Sequence, residues 1–291
     1  MPPRDRSGSV IDGRYQLQEP IGRGASAEVY RALDATTGAP VAIKILRGGD
    51  ARSHEGVARF QREAEVQAMV RHRNVAGLFG SGVTDGGELY LVVELLGGQS
   101  LRHALRARGA VNASRAMSYT WQALQGLGAV HARGILHRDL KPANLMLEPS
   151  PGPVERVVLI DFGFAAFEGG RALTRHGHVV GSLIYLAPER LRGERADERS
   201  DLYAIGVMLH EMLAGSPPFT GEDDFDIISA HLSDDAPDLA TVAPTPPPPA
   251  VIAIVTRALA KERADRFADA EAMADAIADA ASSMPPPGAA G

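Results

Sequence analysis

The chain changes character at Gly97-Gly98, and this change constrains its fold more than any other feature. From residue 15 to about residue 96, apolar runs rich in Val, Ile, Leu and Tyr are split by glycine-containing turns at Thr37-Gly38 and Asp85-Gly86-Gly87. Such runs predict antiparallel strands, with one helix predicted over residues 55–70. After the glycines, apolar residues recur every three or four positions, which predicts helices. The pattern indicates an α+β protein in which a β-rich part precedes a mostly helical one.

The strongest helical pattern covers residues 112–133. Its apolar residues predict one buried stripe, made by Met117, Trp121, Leu124, Leu127 and Val130. Helices are also predicted over residues 100–108 and from about 199 to 278. Between these helical regions, residues 135–164 contain two short apolar runs that predict strands.

The ends of the chain and one internal segment are rich in Pro or Gly. Residues 1–14 are predicted to be a disordered lead, and residues 281–291 a Pro/Gly-rich tail. The segment APTPPPPA, within residues 242–250, has two interpretations. It is either an extended connector between helices or a polyproline ligand for an SH3- or WW-type partner, and the connector is favoured.

Composition excludes several classes of function. The net charge of −6, with no basic cluster, gives no support to nucleic-acid binding. The absence of cysteine excludes disulfides and thiolate metal sites and fits a reducing compartment. The N-terminus lacks a signal-peptide pattern, and no apolar stretch is long enough to span a membrane. We therefore expect a cytoplasmic protein.

Lysine is rare in this chain, and its positions indicate where an ammonium group is needed. Of 30 Lys and Arg residues, only Lys44, Lys141 and Lys261 are lysines. The first two lie within the segments VAIK and HRDLKPAN. An ammonium is a compact point charge that reaches phosphate oxygens in a crowded pocket, whereas a guanidinium is a wide planar fork. Lys44 and Lys141 therefore indicate a phosphate-handling site.

The segment IGRGASAEVY at residues 21–30 has two spaced glycines, which two kinds of nucleotide site share. A dinucleotide fingerprint needs a helix directly after the glycines and an acidic residue about twenty positions later. Here the residues from Val29 onward favour a strand, so Gly22 and Gly24 would lie in a strand-turn-strand flap. Because glycine has no Cβ, such a flap can bring backbone N–H groups close to a triphosphate.

Lys44 ends the apolar strand that follows this flap. It could be an ordinary surface lysine, but the flap favours a role in phosphate binding. A buried ammonium needs a counter-charge, and the helix over residues 55–70 offers Glu63 and Glu65. These two lie about 200° apart on a helix, so only one can face the sheet. Glu63 is predicted to point inward and Glu65 toward solvent, because Glu63 shares a face with Phe60, Val66 and Val70.

The segment HRDLKPAN at residues 137–144 concentrates polar groups in a short loop. Asp139, Lys141 and Asn144 supply a proton acceptor, a cation for a transferring group and a neutral oxygen ligand for a hard metal. A second apolar run, over residues 157–160, leads to Asp161, which would provide another hard oxygen ligand at the end of a strand. These residues predict a metal site beside a proton acceptor.

Taken in order, these segments resemble a known family. The Gly-rich loop, VAIK, HRDLKPAN, DFG at 161–163, APE at 187–189 and DLYAIG at 201–206 follow the family order. Over residues 15–280 the chain resembles the eukaryotic-type Ser/Thr protein kinases found in bacteria. The resemblance implies a two-lobed protein-kinase-like fold. Its N-terminal lobe (15–96) would be an antiparallel sheet with one main helix, and its larger C-terminal lobe (97–280) mostly helical.

The resemblance further implies an ATP-dependent enzyme that uses Mg²⁺ or Mn²⁺ and transfers the γ-phosphoryl group to Ser/Thr hydroxyls of proteins. Asp139 would accept the hydroxyl proton and Lys141 would steady the γ-phosphate. Asn144 and Asp161 would hold the metal. The implied nucleotide contacts are made by the Lys44–Glu63 pair, by the flap residues Ile21, Gly22, Arg23, Gly24 and Ala25, and by Val29, Ala42, Val93, Glu94, Leu96 and Met146 around the adenine.

Residues 164–188 are implied to be the activation segment, with Thr174 as its only threonine and Ser182 as its only serine. Ser182 is interpreted as a hydroxyl that braces the catalytic loop. Thr174 is interpreted as the autophosphorylation site whose phosphate neutralises Arg138. Phosphorylation in trans would need a transient homodimer. Immediately after the segment, Glu189 resembles a family acid that pairs with a late arginine, here Arg266.

The chain departs from the family pattern at Ala27, at Leu183 and in a lengthened turn over residues 148–153, which lies away from the reacting atoms. Ala27 replaces the third glycine of the flap, and a modest weakening of phosphate binding is expected. Leu183 leaves the peptide specificity in doubt but not the catalysis. A pseudokinase scaffold is the main alternative, but Lys44, Asp139 and Asp161 are all present, which favours an active enzyme. A small-molecule kinase is disfavoured by the peptide platform implied at residues 181–189.

Overall fold

A computed structural model describes residues 5–24, 27–46, 54–161 and 183–282. The structure divides into two compact units, with a boundary between Gly97 and Gly98. The short segment Arg73–Val75 belongs with the second unit rather than the first. The first unit contains a sheet and one described helix, and the second contains most of the helices, so the predicted α+β class is confirmed.

The first unit is built on a six-stranded antiparallel sheet in the order β1-β2-β3-β4-β6-β5. Its strands are β1 (Val10–Ile11), β2 (Tyr15–Arg23), β3 (Ala27–Asp34), β4 (Pro40–Leu46), β5 (Leu78–Val83) and β6 (Leu89–Glu94). Helix α1 (His54–Ala68) follows β4.

Strand β1 corrects one prediction. It lies within residues 1–14, which the sequence predicted as a disordered lead, yet Val10 and Ile11 pair with β2. Ile11 is buried in the same apolar cluster as Tyr15 and Leu17. The prediction was wrong here because an apolar contact with a later strand, rather than local composition, orders this segment.

The strand β4 is buried on both faces of the sheet. Val41, Ile43 and Ile45 contribute to a cluster with Tyr30 and other residues of one face. Leu46 joins a second cluster on the opposite face, where Phe60 and Ala64 of α1 pack. Because side chains alternate along a strand, Lys44 shares the face of Leu46, which is the face that α1 covers.

Helix α1 confirms one prediction and corrects another. Glu65 is exposed, as predicted. Val66, predicted to face inward, is 39% exposed. The buried residues of this helix include Phe60, Ala64 and Gln67, and Val66 lies about 120° around the helix from Phe60. The inward face of α1 is therefore narrower than the apolar residues alone suggested.

The second unit contains most of the described helices and a small sheet. The helices are α2 (Leu101–Arg108), α3 (Ala113–His131), α4 (Pro188–Leu191), α5 (Glu198–Ala214), α6 (Asp224–Ser233), α7 (Leu239–Val242), α8 (Pro249–Ala258) and α9 (Ala270–Ser282). Strands β7 (Gln99–Ser100), β8 (Leu145–Glu148) and β9 (Arg156–Leu159) pair antiparallel in that order.

Helix α5 is the central element of this unit. Every residue from Ser200 to Leu213 is buried, as expected of a helix surrounded by other elements. Asp197 begins it with a capping box, accepting from the backbone N–H of Ser200. At Gly206 an added Cβ would lie 2.7 Å from the Cβ of Ala258, so glycine permits the close approach of α8.

Helix α3 shows that the predicted buried stripe was partly wrong. Met117, Leu124, Leu127 and Val130 are buried, but Trp121 is 41% exposed. The buried face is completed by small residues such as Ala116, Ala123 and Gly126. The stripe is therefore centred away from Trp121, which lies at its edge.

The proline segment connects α7 to α8, and Pro249 is the first residue of α8. Proline suits that position because its missing N–H would have no intrahelical partner there. Helix α9 ends at Ser282, two residues beyond the predicted end of the domain at 280. Among the described helices, none is both long and apolar enough to cross a membrane.

Candidate active site

The loop over residues 137–144 folds around one carboxylate. Lys141 donates through Nζ to Oδ2 of Asp139 at 2.6 Å. Asn144 donates through Nδ2 to the same oxygen at 3.0 Å and to the backbone carbonyl of Asp139 at 2.8 Å. The side chains of Asp139 and Lys141 are 27% and 25% exposed. The carboxylate is thus held in place by two neighbours while it stays accessible to solvent.

Asp201, near the N-terminus of α5, anchors this loop through hydrogen bonds to its backbone. Its carboxylate accepts the backbone N–H groups of His137 and Arg138 at 2.8 and 2.9 Å. It also lies 2.9 Å from Nε2 of His131 on α3. Burial raises the pKa of Asp201. The bond from His131, the charge interactions with His137 and His131 and the bond from the backbone N–H of Arg138 lower it by more, so the pKa falls below its ordinary value. Asp201 is therefore a charged anchor.

Two residues of the site adopt a backbone conformation that is uncommon for residues other than glycine. Arg138 has φ 66° and Asp161 has φ 62°. Such conformations cost free energy and persist where the surroundings enforce them. The bond from the N–H of Arg138 to Asp201 supplies that restraint on the loop.

Asn144 and Asp161 are brought together by the pairing of β8 and β9. Leu145 pairs with Leu159, and the N–H of Ile160 donates to the carbonyl of Asn144 at 3.0 Å. Because the amide nitrogen of Asn144 is used by Asp139, the amide oxygen is the side-chain atom left to coordinate a cation. An amide oxygen and a carboxylate fit a hard metal ion such as Mg²⁺.

In the first unit, the glycine-rich segment forms a hairpin. Gly22 pairs with Val29, and the N–H of Gly24 donates to the carbonyl of Ala27 at 2.9 Å. A strand, not a helix, follows the glycines, which excludes the dinucleotide interpretation. Ala27 is buried in the cluster with Leu46, so its methyl group serves the core where the family has glycine. Ala25 lies outside the described residues.

Lys44 is 6% exposed and lies in the row of the sheet that joins Val29 to Leu91. Ala42 pairs with Val93 one row away. Directly paired residues and alternate residues of a strand share one face, so Val29, Ala42, Lys44 and Val93 all lie on the face that α1 covers. Glu63 is on α1, and its Oε2 atom is buried. The Lys44–Glu63 pair stays a prediction that this placement favours.

The other predicted nucleotide residues in the described chain are Ile21, Arg23, Glu94, Leu96 and Met146. Glu94 donates its N–H to the carbonyl of Gly77 and accepts the N–H of Gly77 at Oε2, which fixes the end of β6. Ile21 and Arg23 are exposed, Leu96 is half-buried, and Met146 is half-buried on β8. Gly163, Thr174 and Ser182 lie outside the described residues.

Comparison with known proteins identifies the chain. The protein kinase domain family matches residues 15–277. The chain belongs to this family. Protein kinases use ATP, a divalent metal and protein substrates, and the chemistry of the loop over residues 137–144 is in keeping with this.

The kinase domain is similar to several bacterial proteins. It is 36% identical to the serine/threonine-protein kinase pkn3 of Myxococcus xanthus, over 91% of this chain and 49% of that protein. It is 35% identical to PknL of Mycobacterium tuberculosis, over 90% of this chain and 64% of that protein. The chain thus spans from about half to two thirds of the length of these two relatives. The crystal structure of the M. tuberculosis PknI kinase domain matches with a TM-score of 0.74 at 28% identity, covering 95% of this chain and 98% of that one.

The predicted pair between Glu189 and Arg266 is confirmed in the kinase domain. Two bonds of 2.9 Å join the guanidinium nitrogens to the two carboxylate oxygens, and both side chains are almost fully buried. Ser200 also donates to Glu189 at 2.6 Å, and Arg266 donates to the carbonyls of Ala260 and Lys261. The pair fixes α4 to the segment between α8 and α9, and the bond from Ser200 joins α4 to the start of α5.

A second network of hydrogen bonds was not predicted from the sequence. Tyr185 donates its hydroxyl to Oε2 of Glu211 at 2.6 Å, while Arg102 of α2 donates to Oε1 at 3.1 Å. Burial raises the pKa of Tyr185, so its hydroxyl stays protonated at neutral pH. No motif joins these three residues, which are distant in sequence. The roles of His131 and Asp201 as partners were missed for the same reason, although Asp201 begins the DLYAIG segment.

Proposed function

We propose that this kinase domain is an ATP-dependent Ser/Thr protein kinase that transfers the γ-phosphoryl group of ATP to a protein hydroxyl. The observation that carries the proposal is the convergence of Lys141 and Asn144 on the carboxylate of Asp139. A proton acceptor, a cation and an amide are thereby placed within hydrogen-bonding distance of one another. Phosphoryl transfer depends mainly on such positioning and on charge stabilisation.

In the proposed reaction, Asp139 orients the substrate hydroxyl and takes its proton. The hydroxyl oxygen bonds to the γ-phosphorus as the bond from that phosphorus to the bridging oxygen of ADP breaks. Lys141 offsets the negative charge on the transferring group. The products are the phosphorylated protein and ADP, and the proton leaves through Asp139.

Asn144, through its amide oxygen, and Asp161, through its carboxylate, would hold the divalent metal. When bound, Mg²⁺ or Mn²⁺ neutralises charge on the β- and γ-phosphates. The bonds that Asn144 makes to Asp139 keep the metal-binding oxygen and the proton acceptor in a fixed relation.

For the nucleotide, the first unit would contribute the hairpin residues Ile21, Gly22, Arg23, Gly24 and Ala25. Lys44, steadied by Glu63, would contact the α- and β-phosphates. Adenine would be bound by Val29, Ala42, Glu94, Leu96 and Met146. Because Val29, Ala42 and Lys44 share one face of the sheet, a single ligand could reach all three.

We further propose that residues 15–280 act as the kinase domain and that Ser/Thr, rather than Tyr, is the acceptor. Lys141, two residues after Asp139, resembles the Ser/Thr branch of the family. Autophosphorylation of the activation segment in trans, through a transient homodimer, belongs to the same proposal. A cytoplasmic location stays a prediction from the cysteine-free sequence.

The proposal is tested by incubating the protein with labelled ATP and Mg²⁺ or Mn²⁺, with Ser, Thr and Tyr peptides as acceptors. Label is expected on Ser/Thr acceptors and on the protein itself. Asp139→Asn is the matched control, since it is nearly isosteric. It should lower turnover by about 10²- to 10⁴-fold, the range for one positioned base, with ATP affinity kept. Label on neither protein nor peptide, in enzyme that is folded and binds ATP, would favour a scaffold.

A further inference from the structure

A concavity of the second unit opens beside the catalytic loop. It is a shallow concavity that is partly open to solvent. The described residues of its walls are 138–140, 185–187, Arg190 and the start of α5. Two arginines, Arg138 and Arg190, therefore line the same space as the proton acceptor Asp139.

The two arginines of this concavity differ from its two acids in their bonding. Within the part of the chain that the structure describes, the guanidinium groups of Arg138 and Arg190 make no hydrogen bond or ion pair, since only their main-chain groups are bonded. The two acids among the described lining residues are already engaged. Asp139 is paired with Lys141, and Asp201 accepts two backbone N–H groups and contacts His131. Among the described residues, the guanidinium groups of Arg138 and Arg190 therefore have no anionic partner beside the site of proton transfer.

Arg190 is carried by a firmly held segment. It directly follows Glu189, whose bond to Arg266 fixes α4. On the other side of the concavity, Tyr185 is pinned by Glu211. The backbone that carries the Arg190 side chain is therefore already ordered, and a ligand need not order it on binding.

We propose that Arg190 is a specificity-determining residue that binds an acidic side chain of the protein substrate, close to the hydroxyl that Asp139 deprotonates. This inference rests on the proposed kinase activity. A guanidinium can bind a carboxylate with two parallel hydrogen bonds, which gives direction as well as charge. Arg138 has a separate expected partner, the phosphate of the activation segment, whereas the guanidinium of Arg190 has no partner in the described part of the chain.

The test uses a set of Ser peptides that differ only in whether one residue near the acceptor is Asp, Asn or Arg. Wild type is compared with Arg190→Gln, which keeps the aliphatic part of the side chain, with the charge reversal Arg190→Glu, and with Arg192→Gln. Arg192 is an exposed neighbour that does not line the concavity. Both kcat/KM for each peptide and KM for ATP are measured.

We expect wild type and Arg192→Gln to prefer the Asp peptide. Arg190→Gln should reduce kcat/KM for that peptide by about tenfold, the size of one hydrogen bond between charged groups, while the Asn peptide and KM for ATP are unaffected. Arg190→Glu should shift the preference toward the Arg peptide. The proposal is overturned if wild type shows no preference for the Asp peptide, or if Arg190→Gln keeps the same preference.

Two further readouts separate the alternatives. If Arg190→Gln changes only the activity gained on autophosphorylation, the anion is the chain's own phosphate and the substrate role is overturned. Affinity for the Asp and Asn peptides is also measured by fluorescence anisotropy, without turnover. A preference for Asp in binding that depends on Arg190 supports the anion site even if no phosphate is transferred, in which case only the proposed activity fails.

Discussion

The carboxylate of Asp201 holds the backbone N–H of Arg138 at 2.9 Å, although 63 residues separate the two in sequence. Arg138 has a positive φ there, and Asp139 comes next. The proton acceptor of the proposed reaction is thus positioned by a buried acid on another element. Asp201 makes the same kind of bond to the N–H of His137.

Replacing Asp201 by Asn should disturb the loop without changing its sequence. The amide has one acceptor oxygen for two backbone N–H groups, so one of them loses its bond, at a cost of about 1–3 kcal/mol of stability. We expect kcat to fall more than the affinity for ATP. Asp197→Asn, at the N-cap of the same helix, is the control, since Asn caps as well as Asp. Urea unfolding measures the stability of both variants, and steady-state kinetics measure their kcat and KM for ATP. Unchanged kcat in Asp201→Asn would contradict the anchoring role.

Lys44 should be required as an ammonium and not simply as a cation. Lys44→Met is expected to weaken ATP binding and turnover together, because the charge would contact the phosphates. Lys44→Arg should also weaken ATP binding and turnover, since the planar guanidinium does not fit the space of a buried ammonium. Isothermal titration with a non-hydrolysable ATP analogue measures the affinity. Arg62→Met, on the exposed face of α1, should bind normally. Full affinity in Lys44→Met would remove the assigned role.

Glu189→Gln should be among the most destabilising conservative changes. It leaves the fully buried guanidinium of Arg266 without its counter-charge, which typically costs about 3–5 kcal/mol. The control is Glu88→Gln, which breaks the partly exposed pair with Arg6. That pair should contribute about 0–1 kcal/mol. Denaturant midpoints compare the two, and equal effects would show that burial of the first pair does not matter.

The buried imidazole of His231 should make the fold sensitive to acid. Burial, then the nearby Lys261, lowers the pKa of His231 to about 4. Its unfolded value is about 6.5, so the unfolded chain binds the extra proton first. This contribution to stability is complete above pH 6.5 and is lost as the pH falls toward 4. Its size is about 3 kcal/mol.

His231→Asn should reduce the loss of Tm between pH 6.5 and 4, although it also removes the contact with the Tyr203 hydroxyl and lowers Tm at neutral pH. His103→Asn, at an exposed position, should leave the pH dependence unchanged. Scanning calorimetry across this pH range measures both variants. Parallel curves for His231→Asn and wild type would show that other groups control the acid transition.

Thr174, which lies outside the described residues, stays the predicted phosphorylation site. A phosphate there adds about −1.5 to −2 charges, enough for one to three charge-assisted bonds with Arg138 and its neighbours. Thr174→Ala should lower activity by about tenfold, the effect of one such bond, with ATP affinity kept. Thr245→Ala, at an exposed position, is the control. If mass spectrometry finds unmodified Thr174 in fully active enzyme, phosphorylation of Thr174 is not required for activity.

Local patterns in the sequence were enough to predict the class of fold and the groups of the candidate site. The periods of the apolar residues predicted the strands and most helices, because burial on one face imposes a repeat of two or about 3.6 residues. The short HRDLKPAN loop predicted that Asp139, Lys141 and Asn144 act together, because residues so close in sequence have few ways to lie apart.

The tertiary structure decided which distant residues meet. The bonds of Asp201 to the loop, of Tyr185 to Glu211, and the orientation of Trp121 toward solvent follow from how elements pack against one another. A helical period gives the spacing of an apolar stripe but not its edge, and a strand pattern does not reveal that Val10 and Ile11 join a sheet. These features depend on contacts between residues far apart in sequence, which no local pattern records.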